Sequence, residues 1–554
     1  MPWVYGPPGM ATMRVATWLV AAVLAALWLA FAPATPDLAA QVYRAGLYER
    51  IGWTVFDLSW YGGHHMPGYS ILFPPLGALL GVRVVGALAA VVSVVLFERV
   101  ARRQFGDGAR WGSLWFAVGS VADLLIGRLT FALGVAFALG AILALQHGRR
   151  RLGLTLAVGC TLASPVAGLF LAMAGIAHWL AVRRQGPERA DVWLAAAAFT
   201  PAALLALLFP EGGSQPFSTE ALAAVVICCA LLLWLVPAGE RALRAGVLVY
   251  LGAALLAFVV ASPMGGNASR LGVAFAGPLL LCAVFAAGAV PRRRRLIVAA
   301  AIPLLIWQWW APVRETGKGV TDPSAQLAYF TPMLTFLEGR ADASPVRVEV
   351  PFTRLHWEAV HVARATSLAR GWETQLDVKY NALFRAGAAK QLTAARYGAW
   401  LRREGVHYVA LPDIPLDPTG RAEARLIRRG LPFLRPVFHD RHWSVYEVKD
   451  TPGLTNGAGR LTRIGPQSFT LRARRPGFTF VRVRHTPYWR MAKGRGCVSR
   501  AIGGWTLVRA TSPGSITVEA AFDPRRILEP GPRCSDGEAP GRRGGLWSVS
   551  GSIR

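Results

Sequence analysis

Residues 33–75, "PATPDLAAQVYRAGLYERIGWTVFDLSWYGGHHMPGYSILFPP", separate the first two long apolar runs of the chain. The stretch is too polar to lie within a bilayer, and it is richer in aromatic residues than an ordinary linker. Its ionisable side chains are three carboxylates, two arginines and two histidines: Asp37, Glu49, Asp57, Arg44, Arg50, His64 and His65. Residues 39–51 predict an amphipathic helix lying at a membrane interface. The stretch therefore predicts a membrane protein whose first loop carries polar chemistry.

The composition changes along the chain near residue 312. Over its 554 residues the protein is 53% hydrophobic, with a mean hydropathy of +0.37. Apolar runs of membrane-spanning length, about 17–25 residues, recur before residue 312 and stop after it. We predict about eleven spans, at residues 14–32, 70–97, 112–127, 130–147, 152–163, 164–182, 192–209, 220–237, 246–262, 271–290 and 296–311. The short fifth and sixth runs, divided by "ASP" at 163–165, are interpreted as a tight hairpin.

The connections between the runs alternate in charge. "ERVARRQFGDGAR", "HGRRR", "VRRQGPERAD", "GERALRAG" and "PRRRRL" are rich in arginine, whereas "FPEGGSQPFSTE" and "SPMGGNASR" carry little charge. Arginine-rich loops stay in the cytoplasm by the positive-inside rule. The N-terminus is then predicted to be cytoplasmic, and the first loop (33–69) and everything after residue 311 extracytoplasmic. "WQWW", residues 307–310, fits an aromatic belt at the outer interface.

The net charge is +29. Up to residue 311 there are 22 basic and 11 acidic residues, and from 312 onward 38 basic and 20 acidic residues. Positive-inside topology and a solvated surface explain part of this excess. An anionic partner of the external part, such as lipid headgroups, lipid phosphates or an acidic polysaccharide, is the alternative. A nucleic-acid partner is not predicted, because no RNP, helix-turn-helix or zinc-finger pattern is present.

The second half of the chain predicts two extracytoplasmic domains. Residues 312–450 mix helical spacing with short strands such as "VRVEVPF" (346–352) and "WSVYEVK" (443–449), which indicates an α/β unit. Residues 451–537 alternate with period two between Pro and Gly turns, which favours an antiparallel β-sandwich. A flexible tail is predicted for 538–554. Cys497 and Cys534 lie in the external part, where disulfides persist, and we expect them to be bonded.

Asp37 is the first ionisable residue after the first apolar run, so we expect it at the outer membrane surface. Transfer of a sugar from a lipid phosphate needs such a carboxylate, because a general base must take the proton of the attacking hydroxyl. The leaving phosphate needs cations or hydrogen-bond donors. On the outer side these candidates are Arg44, His64, His65 and Arg128. The plainer alternatives are a solvated loop acid at Asp37 and an Arg128 that reaches lipid headgroups.

Two further polar features allow more than one interpretation. Either histidine of the His64–His65 pair can supply one metal ligand beside Asp37 or Asp57. Adjacent histidines point in different directions, however, so no metal site is assigned and a divalent metal stays open as a cofactor. Asp123, in "SVADLLIG", is a carboxylate inside a predicted span. Such residues are functional candidates, although Asp123 can also simply neutralise Arg128.

The motif "RGWETQLD", residues 370–377, is the most polar aromatic motif of the α/β unit. As an acceptor site, Trp372 would stack on a sugar while Glu373 and Asp377 bind its hydroxyls. As a structural element, the same residues would pack the external domain onto the membrane part. The sequence favours the structural interpretation, and both stay open.

The order of these features resembles the GT-C-type glycosyltransferases. The resemblance covers a first span, an external loop that opens with an acidic residue, many further spans and an external C-terminal domain. It implies a polyprenyl-phosphate sugar donor and makes the early acid of the loop, here Asp37, the expected catalytic base. A second acid often accompanies it, and Asp57 and Glu49 are the local choices. Residue 38 is Leu, so this chain has no adjacent acidic pair.

Two longer similarities cover other parts of the chain. "WYGGHHMPGYSILFPPLGALLG" (60–81), "ASPVAGLFL" (163–171), "LARGWETQLD" (368–377) and "REGVHYVALPD" (403–413) look like bacterial multi-span proteins described as 6-pyruvoyl-tetrahydropterin synthase-related. No Cys-plus-His zinc pattern supports pterin chemistry here. Residues 481–524 resemble the C-terminal β-domain of YfhO-like membrane proteins, which implies a β-sandwich and an envelope-polymer context.

The sequence therefore predicts a multi-pass plasma-membrane glycosyltransferase. Its partners would be a polyprenyl-phosphate sugar, an envelope glycan or lipid acceptor, and membrane lipids. A non-catalytic envelope scaffold or glycan-binding protein is the alternative. A transporter or flippase is less favoured, because no convincing internal repeat is present. In an enzyme, we expect Asp37, Arg128 and one of His64 and His65 to converge on an outward-facing cavity.

Overall fold

A computed structural model describes residues 16–182, 189–288, 290–320, 322–341, 344–528 and Cys534. The predicted tail 538–554 lies outside the described residues. Fourteen helices fill the first part of the chain: α1 Thr17–Phe31, α2 Pro36–Ile51, α3 Phe73–Leu80, α4 Val82–Phe105, α5 Ala109–Gly119, α6 Val121–Ile126, α7 Leu129–Gln146, α8 Arg150–Ala163, α9 Pro165–Val182, α10 Arg189–Leu208, α11 Thr219–Leu235, α12 Arg241–Val259, α13 Ser269–Ala286 and α14 Val290–Gly319.

The second part carries short helices and most of the strands. Its helices are α15 Leu327–Ala341, α16 Glu358–Ala365, α17 Thr374–Tyr380, α18 Ala386–Lys390, α19 Ala394–Glu404, α20 Arg421–Arg428 and α21 Arg525–Leu528. The strands within the described residues are β1 Phe56–Asp57, β2 His64–His65, β3 Arg347–Glu349, β4 Ser367–Leu368, β5 Tyr408–Pro412, β6 Leu434–His439, β7 Trp443–Val448, β8 Thr455–Gly457, β9 Gly459–Ile464, β10 Ser468–Ala473, β11 Gly477–Arg484, β12 Trp489–Lys493, β13 Gly496–Arg500, β14 Trp505–Ala510 and β15 Gly514–Ala520.

Each predicted apolar run coincides with helix in the described residues. Seven of these helical segments are long and apolar enough to cross a membrane, or eight if the bent pair α1–α2 counts as one span. The protein is thus a polytopic helical membrane protein. The predicted break at 163–165 is present, because α8 ends at Ala163 and α9 begins at Pro165. Ser164 between them is extended, as expected of a residue that precedes proline.

Helix α2 bends by 80° from α1. The sequence predicts an amphipathic helix at the membrane interface, and the helix is present, but most of its residues are buried. Leu38, Ala39, Tyr43 and Leu47 are buried in the same core as Val360 and Val362 of α16. Both faces of α2 are therefore covered, one by the membrane helices and the other by the external domain.

The predicted α/β unit contains a five-stranded mixed sheet in the order β4-β3-β5-β7-β6. Strand β3 is parallel to β4 and β5, whereas β7 is antiparallel to β5 and β6. Strands β3, β5 and β7 lie within the stretches that the sequence assigned to strands. Helices α19 and α20 cover the sheet through Tyr397, Trp400 and Ile427.

The C-terminal strands form the predicted β-sandwich. One antiparallel sheet has the order β12-β15-β10-β9 and the other β13-β14-β11-β8. Side chains of both sheets, such as Leu471 and Val518 from the first and Val481 and Val508 from the second, share one core. The expected disulfide is also confirmed: Cys497 on β13 is bonded to Cys534, with 5.4 Å between their Cα atoms.

The first loop connects the membrane helices, the α/β unit and the β-sandwich. Its hairpin pairs β1 with β2, Asp57 opposite His64. Phe56 and Leu58 insert into the β-sandwich core, and the Leu58 N–H donates to the Pro466 carbonyl at 2.6 Å. On the membrane side, the N–H of Ile71 donates to the Leu162 carbonyl at the end of α8. The loop is thus a structural junction as well as a connection.

Candidate active site

Asp37 lies in the first turn of α2, directly after Pro36, whose fixed φ suits the start of a helix. Its side chain is 32% exposed, and its Oδ2 lies 3.5 Å from Nε of Arg128. A carboxylate at this position is favoured by the partial positive charge of the helix N-terminus. The two residues that the sequence placed at the outer surface are therefore together.

Gly127 allows Asp37 and Arg128 to come into contact. It joins α6 to α7 with φ +91°, a conformation that L side chains rarely adopt. A Cβ added to it would lie 2.4 Å from the backbone nitrogen of Leu38. The turn thus packs directly on the start of α2, and Arg128, the next residue, is aimed at Asp37.

Arg128 also lines a cavity of about 180 Å³ between the membrane helices. Asp123 of α6 and Arg270 of α13 line the same cavity, together with Ser120 and Gln308. The Nε atom of Arg270 is buried without a hydrogen-bond partner, whereas that of Arg128 faces Asp37. Buried N–H donors are nearly always paired in folded proteins. This cavity is therefore prepared for a ligand that accepts hydrogen bonds.

The charges around the cavity act on one another. Arg270 interacts electrostatically with Arg128, Asp37 and Asp123, and Asp123 with both arginines and Asp37. The four side chains thus form one group of two cations and two carboxylates. The sequence does not single out Arg270, because it stands alone in a nearly uncharged loop, and that isolation is the one signal it offers.

Gln308 shows that the "WQWW" motif is divided between two environments. Gln308 is buried and accepts a hydrogen bond from Nε1 of Trp115 at 2.8 Å, at the wall of the cavity. Trp310 is 66% exposed, as an aromatic belt predicts. Helix α14 continues past the motif to Gly319, beyond the predicted end of the last span.

Arg44 and Glu373, predicted as donor-binding and acceptor-binding residues, bind each other. Arg44 Nη2 lies 2.5 Å from Glu373 Oε2, and both side chains are buried. The guanidinium also lies 3.7 Å from the ring centre of Tyr69. Burial raises the pKa of Glu373 above its ordinary value, and the charge of Arg44 offsets part of this effect. The pair joins α2 to the external domain, away from the residues that line the cavity.

The two histidines point in different directions, as expected of neighbours in a strand. His64 is buried and stacks on Trp60, with 5.3 Å between the ring centres. His65 contacts Glu211 Oε1 through Nδ1 at 2.8 Å and Thr486 Oγ1 through Nε2 at 3.0 Å. Burial alone would raise the pKa of Glu211, but its interactions with His65 lower it below the ordinary value. Neither histidine is among the residues that line the cavity.

Asp57 is fully buried beneath the first loop. Its Oδ2 accepts a hydrogen bond from the Tyr43 hydroxyl at 2.7 Å. Its Oδ1 accepts from the hydroxyl of Ser59 at 2.9 Å and from the Ser59 N–H at 3.2 Å. Both oxygens are thus engaged in holding the loop to α2.

The remaining two residues of the 370–377 motif are also engaged internally. Trp372 stacks on His356 with 3.5 Å between the ring centres. Asp377 is buried and accepts hydrogen bonds from Arg385 at 2.7 Å and from Asn381 at 3.0 Å. These contacts all lie within the external domain. Among the described residues, no group of three or more His, Cys, Asp or Glu side chains is arranged to hold a metal ion.

Comparisons with known proteins find similarity only at the level of solved structures. No family model matches the sequence, and no curated protein matches it. The arabinofuranosyltransferase AftD from Mycobacteria is 15% identical, with a TM-score of 0.45 over 94% of this chain and 58% of AftD. The oligosaccharyltransferase of Archaeoglobus fulgidus in its apo form is 12% identical, with a TM-score of 0.43 over 73% of this chain and 70% of that one.

A third similar structure is ArnT from Cupriavidus metallidurans, 12% identical, with a TM-score of 0.39 over 78% of this chain and 97% of ArnT. All three are GT-C glycosyltransferases, the class that the sequence resembles. This chain spans 58% of the length of AftD. Because the TM-scores are below 0.5, any assignment of activity has to come from the chain's own residues.

Proposed function

We propose that this protein is a membrane glycosyltransferase that moves a sugar from a polyprenyl-phosphate donor to an envelope glycan or lipid at the outer membrane face. The observation that carries the proposal is the Asp37–Arg128 pair, whose arginine lines one cavity together with Arg270 and Asp123, whereas Asp37 itself is not among the residues that line it. A partly exposed carboxylate suits a general base, and two neighbouring arginines suit a phosphate.

In the proposed reaction, the acceptor hydroxyl gives its proton to the Asp37 carboxylate as its oxygen attacks the anomeric carbon of the donor sugar. The new carbon–oxygen bond forms while the bond from that carbon to the phosphate oxygen breaks. The electron pair leaves with the phosphate, whose growing charge Arg128 and Arg270 stabilise. Asp123 balances the charge of the arginines before the donor binds.

The arrangement of the chain in the membrane follows from the loop charges. We infer a cytoplasmic N-terminus and an extracytoplasmic C-terminal part, because arginine-rich connections are retained in the cytoplasm. Arg44, Glu373 and His65 then act indirectly. They hold the first loop against the external domain, and so fix where α2 presents Asp37.

The Asp37→Asn variant tests the proposal. The purified protein in nanodiscs is incubated with polyprenyl-phosphate-linked pentoses and hexoses and an envelope extract as acceptor, and release of polyprenyl phosphate is measured. Loss of the general base predicts a rate about 10²–10⁴-fold lower. Glu49→Gln, an exposed acid on the same helix, is the matched control and keeps its activity.

Two results would count against the enzyme. Unchanged turnover in Asp37→Asn would remove Asp37 as the base. Absence of release by the wild type with every donor, together with an unaltered envelope glycan profile in a deletion strain, would favour the non-catalytic scaffold.

A further inference from the structure

The outer face of the β12-β15-β10-β9 sheet is strongly basic. Five basic side chains project outward from it and are exposed: Arg460, Arg463, Arg472, Arg490 and Lys493. Within these four strands the acid on the same face is Glu519, which binds Arg490 at 2.8 Å. The other outward positions are mainly hydroxyl residues: Thr462, Ser468, Thr470, Ser515 and Thr517. The face thus offers cations and hydroxyl donors.

The positive charges are placed where they repel one another. Arg472 is directly opposite Arg460 across the β10–β9 pairing, and like charges in such pairs destabilise a sheet. Exposed Arg474 and Arg475 follow immediately at the same end. From residue 451 to 528 the chain has 14 Lys and Arg residues and two acids, so basic residues far outnumber acidic ones in this domain. This excess of positive charge favours an anionic partner.

The direction of the strands shows where such a partner would approach. Tyr488, just before β12, donates to the Leu208 carbonyl at the end of α10 at 2.6 Å, so this end of the sheet lies at the membrane. Arg472 is four residues beyond Ser468 on β10, about 13 Å further from that end at 3.3 Å per residue. The Arg460–Arg472 end of the face is therefore the end of the strands that lies farther from α10.

We propose that this face binds a linear polyanion of the cell envelope, one that carries phosphate or carboxylate groups repeated along its chain. Arg472 and Arg460 lie on neighbouring strands, about 5 Å apart, and Arg463, Arg490 and Lys493 lie on β9 and β12, so a chain laid across the sheet meets cations on three of the four strands. Arginine binds phosphate or carboxylate oxygens with two parallel N–H bonds, and the Ser and Thr hydroxyls add donors. The binding does not depend on the proposed sugar transfer.

The experiment compares two triple variants with the same change in charge. The full-length protein in phosphatidylcholine nanodiscs is titrated with long-chain polyphosphate at several salt concentrations. R463E/R472E/K493E alters the basic face, and R402E/R425E/R428E alters exposed arginines of the α/β unit. We expect the first variant to bind about tenfold or more weakly, with a smaller salt dependence, while the second binds like the wild type.

Two outcomes would overturn the proposal. If the wild type and the face variant bind polyphosphate with equal affinity, the polyanion does not bind at this face. If both triple variants bind equally weakly, the loss of affinity comes from the change in overall charge and not from the face. Vesicles containing phosphatidylglycerol provide a further arm, because loss of vesicle binding without loss of polyphosphate binding would make the face a lipid contact. Unchanged melting temperatures exclude unfolding of the variants.

Discussion

At the scale of single residues, the candidate site depends on charges that balance one another. Asp37 faces Arg128, while Arg270 shares the same cavity with Asp123. Two acidic side chains lie beside two guanidinium groups, so each charge of the site has a neighbour of opposite sign. A phosphate entering it would compete with the carboxylates for the arginines, which would free Asp37 to accept a proton.

His356 offers a pH-dependent test of the external domain. It is buried, with Nε2 3.7 Å from Asp417 and Nδ1 3.6 Å from Glu358. Burial lowers its pKa, but the two acids more than compensate and raise the pKa above its usual value. Conversely, burial would raise the pKa of Asp417, but the interaction with His356 brings it below the ordinary value.

The opposite pKa shifts of His356 and Asp417 define a pH range in which their interaction stabilises the external domain. The His356 contribution is complete below the unfolded pKa, about 6.5, and is lost as pH rises through the raised folded pKa. The Asp417 contribution is present above about pH 4 and is lost on acidification. We expect the melting temperature of the wild type to fall as pH rises from 6 to 9, by a stability change on the order of 1 kcal/mol. In His356→Gln this dependence should be smaller.

The control is His439→Gln, which removes an exposed histidine of the same α/β unit. It should keep the pH dependence of the wild type, measured by intrinsic fluorescence in nanodiscs. Identical pH profiles for wild type and His356→Gln would show that the His356 contacts do not affect stability.

At the scale of elements, the site depends on how closely one turn approaches one helix. Helix α2 carries Asp37, and the α6–α7 turn carries Arg128, which comes 91 positions later in the sequence. Their contact exists because Gly127 lets the two backbones touch. The helices themselves follow from their apolar composition, but this contact does not.

Gly127→Ala tests that contact. We expect the new Cβ to push the turn away from Leu38 and separate Arg128 from Asp37, so that polyprenyl phosphate release falls at least tenfold. Gly148→Ala is the matched control, because Gly148 has φ +72° but open space around its Cα. Both variants carry backbone strain of about 1–2 kcal/mol. Equal activity in the two would contradict a role for the close approach.

At the scale of the whole molecule, the first loop connects the membrane helices to both external domains. Phe56 and Leu58 enter the β-sandwich, Trp60 donates to the Ala359 carbonyl of the α/β unit at 3.3 Å, and Arg44 binds Glu373. The external domains are therefore packed directly against the first loop, which also carries the proposed base, Asp37.

Phe56→Ala should weaken this junction. Phe56 is 1% exposed and meets Trp489 with 5.4 Å between the ring centres, and removal of such a side chain costs about 3–5 kcal/mol. We expect faster hydrogen exchange in the first loop and in β10, measured by mass spectrometry. Ile502→Ala, at a side chain that is 89% exposed, should leave exchange unchanged. A Phe56→Ala protein with wild-type exchange would show that the loop is held without this side chain.

Sequence patterns predicted the parts of this protein that depend on local composition. The length of the apolar runs predicted the helices, and the serine before proline predicted the break at 163–165. Period-two alternation indicated the β-sandwich, and two external cysteines indicated the disulfide. Asp37 and Arg128 were candidates for the same physical reason, since charges at the edge of a membrane need partners.

Contacts between distant segments required the tertiary structure. The sequence by itself determined a polytopic membrane protein with an acidic residue soon after its first apolar run, because hydropathy and charge act locally. Tertiary structure alone decided that Arg270 joins Arg128 at the cavity. It also decided that Arg44, His64 and His65 face the domain junction, since which buried charge meets which depends on how α2, α13 and the external domain pack in space.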